Sequence, residues 1–318
     1  MTTSGSFSFT VNRDQTIRQS MLNIGKLDEL ENPTAQDITD CNLMLNMLIK
    51  QWMGRTDFAP GLKVYKRKWG YLFLNNATNK YTVGPNGTGW TNVFVRPVTT
   101  AASLSGANSV TVDSATGIAT NYHIGIQLDS GALFWTTVSS VVGLVVSLNI
   151  NLPSQSSSGS QIYCYQTTAQ QPLNIETAVL RDQFNEDTPL RFLRTVQDYA
   201  NLSGKTDIQT ISDPTAIYYE FQLTDSNLYT DCGAAQDVRK YIVASYMEPV
   251  QDMVNPADNF EYAQECFLAI TWGLSKQIAP MYNMPWTQNM ESNYTSAVMI
   301  AGHKDAEVST MYFQPGED

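Results

Sequence analysis

The spacing of apolar residues changes twice along the chain, and that change limits the possible folds more than any other feature. Near both ends, in 35–54 and 263–301, apolar residues recur every three or four positions, as on one face of an α-helix. Between 62 and 167, β-branched and aromatic residues alternate with polar ones or form short runs, as in β-strands. An all-helical or all-stranded fold cannot bury both patterns. The sequence therefore predicts an α+β fold.

Two helices are predicted near the N-terminus. Asn12 and Gln15 have the spacing of a capping box, and Gly25 marks the end of the first helix. The second helix begins after Pro33 and ends at Gly54. The residues expected to face the core are Ile17, Met21 and Ile24 in the first helix, and Ile38, Cys41, Leu45, Leu48 and Trp52 in the second.

Two more helices are predicted towards the C-terminus. Pro256 is expected to open the first, and Pro280 to end it, because the proline ring removes an N–H and crowds the preceding turn. The second is expected to end before Gly302. Their predicted apolar faces are Ala263, Cys266 or Phe267, Ile270, Leu274 and Ile278 in the first, and Trp286, Met290, Tyr294, Ala297 and Ala301 in the second.

The middle of the chain predicts short strands separated by Gly, Asn, Asp and Ser. Residues 94–167 are expected to form a compact all-β module of about six strands, with "LDSGA" as a hairpin turn. A segment of mixed strand and short helix follows. Beyond it, "TAIYYEFQL", "NLYTD" and "VRKYIVASYM" predict a second antiparallel sheet.

Charge and cysteine spacing exclude several classes of protein. The chain has 318 residues, enough for about two domains, and a formal net charge of −11, which disfavours general attraction to DNA. No leading apolar run predicts a signal peptide or a membrane span. Cys41, Cys164, Cys232 and Cys266 are far apart and include no Cys-x-x-Cys pair, so we expect buried thiols.

No catalytic motif stands out. His123 and His303 have polar or turn neighbours and no nucleophile motif such as Gly-x-Ser-x-Gly, so both are expected at the surface. The glycines of 84–89 lack a following Lys-Ser/Thr, and 225–231 lacks the Gly and Glu of an EF-hand; both predict turns. Acidic neighbours such as 186–187 are expected by chance among 30 acidic residues. We expect no enzyme activity, no cofactor and no metal.

One segment departs from the acidic background. Residues 55–70 contain five basic residues against a single Asp57, with Tyr65 and Trp69 interleaved. One interpretation, usual for short charge clusters, is a solvated strand face whose charges prevent edge aggregation. The other is a docking strip for an acidic partner, either a neighbouring subunit or DNA in a channel. The basic residues are Arg55, Lys63, Lys66, Arg67 and Lys68.

Several sequence blocks, taken in order, resemble the head-to-tail adaptor family of short-tailed bacteriophages, also called packaged-DNA stabilisation proteins. The blocks span 13–82 and 171–315, and the last has the Asp-x-Glu-x-Ser…Phe-x-Pro pattern of the family's ending. They are the helix ending in "NIG", "DITDCNLMLNMLIKQW", "PLNIETAVLRD" with "TPLRFLRTVQDYANLSGK", "DPTAIYYE", "EYAQECFLAITWGLSKQIAPMYNMP" and "KDAEVSTMYFQP".

The resemblance implies a structural protein of the virion neck or tail that is made in the host cytoplasm. It implies a dodecameric ring below the portal protein that retains packaged DNA and offers a platform for nozzle, fibres or spikes. Double-stranded DNA would pass through the lumen without sequence-specific binding, and no membrane is involved. An acidic wall suits such a conduit because it does not hold phosphates.

In these terms the fold is a small helical-bundle core with antiparallel sheet, an inserted all-β module and an extended C-terminal tail. Residues 1–93 would supply the N-terminal helices and first strands of the core, 94–167 the insert on the outside of the ring, 168–302 the rest of the core, and 303–318 the tail. The tail is expected to order only on assembly. Residues proposed to contact partners are Lys63, Lys66, Arg67, Lys68, Val308, Met311, Tyr312 and Phe313.

Two other functions stay open. A receptor- or carbohydrate-binding tail component would expose Tyr122, Phe134 and Trp135 of the insert, although these side chains are expected to pack inside the β module. A tail-associated peptidoglycan hydrolase is the second alternative.

Overall fold

The computed structural model describes residues 9–54, 66–76, 78–205, 212–232 and 237–303. Helices and antiparallel sheets are both present, so the prediction of an α+β fold is confirmed. The chain divides into two compact units: a helical unit, Met1–Lys66 with Val250–Asp318, and a β unit, Arg67–Pro249. The domain limits predicted at 93/94, 167/168 and 302/303 stay predictions.

Among the helices in the described ranges, none combines the length and apolar character needed to cross a bilayer.

The elements follow one another in a simple order along the chain. The α-helices are α1 (Arg13–Asn23), α2 (Ala35–Met53), α3 (Val196–Ala200), α4 (Phe267–Ile278) and α5 (Gln288–His303). The strands are β1 (Arg67–Phe73), β2 (Lys80–Val83), β3 (Trp90–Thr91), β4 (Ser109–Thr111), β5 (His123–Gln127), β6 (Leu133–Val142), β7 (Val145–Leu148), β8 (Ile162–Tyr165), β9 (Asn174–Arg181), β10 (Asp187–Pro189), β11 (Arg191–Leu193), β12 (Ala216–Glu220), β13 (Ser226–Thr230) and β14 (Tyr241–Met247).

Local sequence signals place both N-terminal helices. Asn12 and Gln15 form the predicted capping box, with Asn12 Oδ1 accepting from the Gln15 N–H at 2.9 Å. Helix α2 starts after a second capping box, made by Thr34 and Asp37, and Gly54 caps its C-terminus. The core-facing residues predicted for both helices are buried except Ile38, which is half-buried.

Helix α4 begins later than predicted. It starts at Phe267 after a 3-10 turn over Gln264–Cys266, not near Pro256. The carboxylate of Asp258 accepts hydrogen bonds from the backbone N–H groups of Val254 and Asn255, at 2.8 and 2.6 Å, and so stabilises a turn in place of a helix. The C-terminal end agrees with the prediction, because α4 stops two residues before the proline at 280. Helix α5 runs to His303, two residues past its predicted end before Gly302.

Helix α4 lies at the centre of the helical unit and contacts α1, α2 and α5. Ser20 Oγ donates to the Thr271 carbonyl at 2.9 Å, and Ser275 Oγ donates to the Ser20 carbonyl at 3.2 Å. A Cβ at Gly273 would lie 2.7 Å from the ring of Trp52. Small residues on α4 therefore let both N-terminal helices approach it closely.

In the part of the β unit that the structure describes, the strands form three sheets. Their strand orders are β10-β9-β14-β1-β3, β11-β12-β13-β2 and β4-β7-β6-β5-β8. The strands pair antiparallel except β11 with β12, which run parallel. The prediction of one sheet for the last three strands is wrong: β12 and β13 pair with each other, but β14 lies between β9 and β1. Partner choice depends on contacts across the chain that a local pattern does not contain.

Residues 94–167 contain the third sheet and a hydrophobic cluster of their own, centred on Ile124, Val138 and Ile162. The ends of this segment lie close together, because Val95 and Cys164 exchange backbone hydrogen bonds of 2.8 and 3.0 Å. The predicted hairpin at "LDSGA" is confirmed: it joins β5 to β6, with Gly131 at φ +82°.

An aromatic layer joins this third sheet to the rest of the β unit. The rings of Phe73 and Tyr163 stack with centroids 4.2 Å apart, and Tyr241 completes the layer. The hydroxyl of Tyr163 donates to the Val238 carbonyl at 2.9 Å, and that of Tyr165 accepts from the Gly89 N–H. The segment 94–167 therefore buries one face on its own core and the other on β1 and β14.

Candidate functional site

The basic residues that the structure describes at the start of β1 are all engaged in ion pairs. The pairs, with their N–O distances, are Lys66 with Glu261 (2.8 Å), Arg67 with Glu176 (2.6 Å) and Lys68 with Glu248 (3.5 Å). Because each cation already has a carboxylate beside it, it attracts the acidic groups of a binding partner less strongly. The side chains of Arg67 and Lys68 stay 57% and 45% exposed, so both still reach solvent.

The strand geometry separates these cations. Arg67 and Lys68 are successive residues of β1, paired with Met247 and Tyr246 of β14. Successive side chains of a strand point to opposite faces of the sheet. The two residues therefore do not form one continuous strip, and a single partner on one face of the sheet meets only one of them.

The other predicted contact residues lie outside the described part of the chain. These residues are Arg55, Lys63, Val308, Met311, Tyr312 and Phe313.

A groove of about 610 Å³ runs along the helical unit between α1 and α4. Phe9, Phe267, Leu268 and Trp272 give it apolar walls, and Gln19 adds a polar rim. The side chains of Phe9 and Leu268 are 64% and 57% exposed. This surface offers contact to an apolar segment but holds no group suited to catalysis.

His123 was expected at the surface, and the structure corrects this expectation. The imidazole is half-buried and stacks on Tyr165 with ring centroids 4.9 Å apart, and burial lowers its pKa. His303 is the last residue of α5, and its side chain lies outside the described residues. Cys41, Cys164 and the two other cysteines are buried thiols, as predicted, and burial raises the pKa of Cys164 to about 12.

The acidic residues considered from the sequence have protein partners. Arg181 makes a bidentate ion pair with Asp187, which lowers the pKa of that carboxyl. Asp225 accepts from the Asn86 backbone N–H at 3.1 Å in the turn of 84–89. Residues 225–231 form mainly strand β13 rather than the predicted β-turn. Within the described ranges, no three His, Cys, Asp or Glu side chains gather as metal ligands would.

The aromatic side chains of the insert are half-buried. Tyr122 and Phe134 pack on the core of the third sheet. Trp135 packs in the aromatic layer, with its ring centroid 5.7 Å from that of Phe73. These three side chains therefore do not stand out as an exposed platform.

A second aromatic group, which was not predicted from the sequence, lies on the sheet β11-β12-β13-β2. Tyr199, Tyr218 and Tyr229 lie with their ring centroids 5.1–5.9 Å from one another. Alternation in "AIYYE" and "SNLYT" puts Tyr218 and Tyr229 on the face of the sheet opposite to the buried Ile217 and Leu228. This alternation could have predicted from the sequence that both tyrosines lie on the outer face. Only the strand register shows that these two tyrosines are direct neighbours.

The comparisons with known proteins give little support to any assignment. No family model matches the chain, and no curated protein matches it. Among solved structures, a partial similarity was found to the Gp54 tailspike of Acinetobacter baumannii bacteriophage AP22, with a TM-score of 0.20 and 13% sequence identity. The match covers 24% of this chain and 15% of the tailspike chain. A similarity of this size supports no argument about fold or function.

Proposed function

We propose that the chain is a structural head-to-tail adaptor of a bacteriophage virion. In this proposal twelve copies form a ring below the portal protein, retain packaged DNA and carry tail components such as a nozzle, fibres or spikes. Double-stranded DNA passes through the lumen, and the net charge of −11 reduces its retention there. The protein acts without enzymatic activity or a cofactor.

The observation that supports this proposal is the convergence of the resembling blocks. The first two blocks, in α1 and α2, and the block "EYAQECFLAITWGLSKQIAPMYNMP" lie more than two hundred residues apart in the sequence. They come together in one compact unit. Helix α1 is joined to α4 by the Ser20–Thr271 and Ser20–Ser275 hydrogen bonds, and α2 packs on α4 where Trp52 meets Gly273. Blocks that share an order with one family and also share one core are best explained by a common subunit fold.

The finer architecture belongs to the same proposal. The helical unit would be the bundle core of each subunit, 94–167 an insert on the outside of the ring, and 303–318 the extended tail. A closed ring of identical subunits requires each copy to present two different faces to its neighbours. A unit of helices with a separate β unit provides such faces.

The proposal is tested by mixing the purified protein with portal rings from the same source. We expect mass photometry to show twelve copies added to each portal ring, and negative-stain images to show a new ring of matching cyclic symmetry. Bovine serum albumin at the same concentration is the control for non-specific addition. Binding of a single copy to each portal ring, or no binding, would contradict the proposal.

A further inference from the structure

The sheet β11-β12-β13-β2 has one apolar face and one face that is aromatic and polar. Ile217 of β12, Leu228 of β13 and Tyr81 of β2 are buried on the apolar face. Because side chains alternate along a strand, the residues next to them in sequence lie on the opposite face. Backbone register then aligns Tyr218, Tyr229 and Lys80 in one row across three strands.

Tyrosine rings dominate this outer face. The rings of Tyr218 and Tyr229 lie 5.9 Å apart between centroids and are inclined by 27°. Tyr199, from α3, adds a third ring at 5.8 Å from Tyr218. Lys80 Nζ lies 5.7 Å from the centroid of the Tyr229 ring, and Lys205 Nζ lies 5.3 Å from that of Tyr199. All three rings are half-buried, so part of each one faces solvent.

A polar row runs beside the rings. Register aligns Glu220 with Asn227 and Thr82. Glu220 Oε2 accepts hydrogen bonds from Asn227 Nδ2 at 3.1 Å, Tyr229 Oη at 3.0 Å and Gln222 Nε2 at 3.1 Å. These bonds lower the pKa of Glu220, and the bond from Asn227 has the largest effect. The carboxylate is therefore ionised at neutral pH. The face therefore presents a fixed acceptor within reach of aromatic rings.

We propose that this face, defined by Tyr199, Tyr218, Tyr229, Glu220, Asn227 and Lys80, binds a neutral oligosaccharide. A pyranose ring has an apolar C–H face and a rim of hydroxyl groups. Its C–H face would lie against the solvent-facing parts of the tyrosine rings, whose bodies are apolar and whose hydroxyls are polar. Its hydroxyls would donate to Glu220 and accept from Lys80. Ligand sites typically combine a few polar groups of this kind with an aromatic surface.

The charge distribution favours a neutral sugar over a nucleic acid strand. Stacking of bases on aromatic side chains accompanies a positively charged groove that follows the phosphates. Here Lys80 and Lys205 lie near the rings, but the ionised Glu220 is bonded to Tyr229 itself and offsets part of their charge. The face is therefore of mixed charge and not a continuous basic groove, and such a face suits a neutral hydroxyl-rich ligand better than a row of phosphates. This assignment does not depend on the ring proposed above.

The test is a titration of the full chain, measured by isothermal calorimetry, with three neutral hexasaccharides. These are cellohexaose, chitohexaose and maltohexaose. We expect at least one of them to bind. Tyr218→Ala should weaken that binding by about ten-fold, the loss of one aromatic contact. Tyr218→Phe should bind as the wild type does, because the ring is kept. Glu220→Gln should also weaken binding, since the charged acceptor is lost while the shape is retained.

The matched control is Tyr294→Ala in the helical unit, where Lys276 Nζ lies 4.4 Å from the tyrosine ring centroid. It removes a lysine-covered tyrosine and should leave saccharide affinity unchanged. Far-UV circular dichroism checks that each variant is folded. The proposal is overturned by the absence of binding to all three sugars, or by binding that Tyr218→Ala and Glu220→Gln leave intact. It is also overturned if a ten-nucleotide thymidine strand binds this face in a manner sensitive to Tyr218→Ala.

Discussion

A single missing side chain decides how closely two helices approach in the helical unit. Gly273 of α4 faces the ring of Trp52 on α2, and both residues are buried. The small positions on α4 are not explained by helix propensity, because glycine is among the poorest helix formers. They are explained by the tryptophan ring that occupies the space of a Cβ.

We expect Gly273→Ala to destabilise the helical unit. Alanine gains about 1 kcal/mol of helix propensity over glycine. The added Cβ would lie 2.7 Å from Trp52 and 3.1 Å from Leu48, and overpacking of this kind costs about 1–3 kcal/mol. The free energy of unfolding in urea should therefore fall by about 1 kcal/mol. Gly302→Ala in α5, where a Cβ meets nothing within 4 Å, is the control and should lose no stability. Equal gains from both variants would refute this account of the packing.

One capping carboxylate should make the helical unit sensitive to acid. Hydrogen bonds from Thr34 lower the pKa of Asp37, and Tyr282 Oη also donates to it at 2.8 Å. A lowered pKa in the folded state means that the ionised group stabilises the fold above about pH 4, the value in an unfolded chain, and that this stability is lost at lower pH.

Asp37→Asn should accordingly lower the unfolding free energy at pH 7 by about 0.5–1 kcal/mol, within the range for helix caps. The difference from the wild type should shrink as the pH falls from 5 to 3. Asp40→Asn, on the same helix but outside the capping box, should have a smaller effect at every pH. Urea titrations at several pH values measure both variants, and a pH-independent difference for Asp37→Asn would argue against the ionic contribution.

At the scale of elements, the third sheet is tied to the β unit by aromatic side chains. Its own cluster explains why 94–167 has the pattern of a self-contained module. The layer of Tyr163 and Tyr165 against Phe73 and Tyr241 gives it a second buried face. A segment with closely placed ends is geometrically easy to excise, but this one also covers apolar surface.

Replacement of 94–167 by a short Gly/Ser linker should therefore leave the helical unit folded and expose Phe73, Tyr241 and Val243 of the β unit. Dye binding to apolar surface should rise, and the melting temperature of the β unit should fall. Leu144→Ser, at the exposed turn between β6 and β7, is the control and should change neither property. If the excised protein melts like the wild type, the aromatic layer contributes little to stability.

At the scale of the whole molecule, the proposed ring assigns a role to the C-terminal segment. Truncation after Gly302 should leave the melting temperature of the subunit unchanged and weaken attachment to portal rings. Simultaneous replacement of Val308, Met311, Tyr312 and Phe313 by serine should weaken it similarly, because apolar anchors contribute most of the contact energy of an extended segment.

Asp305→Asn with Glu307→Gln is the matched control for that segment, since it changes charge and keeps the apolar side chains. It should retain most of the attachment measured by co-sedimentation with portal rings. Attachment that survives both truncation and serine replacement would remove the segment from the proposed interface.

Features that depend on neighbours within a few residues could be predicted from the sequence. Asn12 with Gln15, Gly54 and Pro280 mark helix ends correctly, because caps and breakers act on backbone groups within one turn. The periodicity of α1 and α2 also identified their buried faces, since that pattern follows from helix geometry. Local chemistry of this kind needs no knowledge of the rest of the chain.

Contacts between residues far apart in the sequence are known from the tertiary structure alone. It placed β14 between β9 and β1, put Arg67 and Lys68 on opposite faces, and aligned Tyr218 with Tyr229. Strand partners and register are chosen by long-range burial and hydrogen bonding, whose free energy depends on segments far apart in the sequence. Arg67 and Lys68 are therefore neighbours in the sequence but lie on opposite faces of the sheet, whereas the tyrosine face is assembled from separate segments.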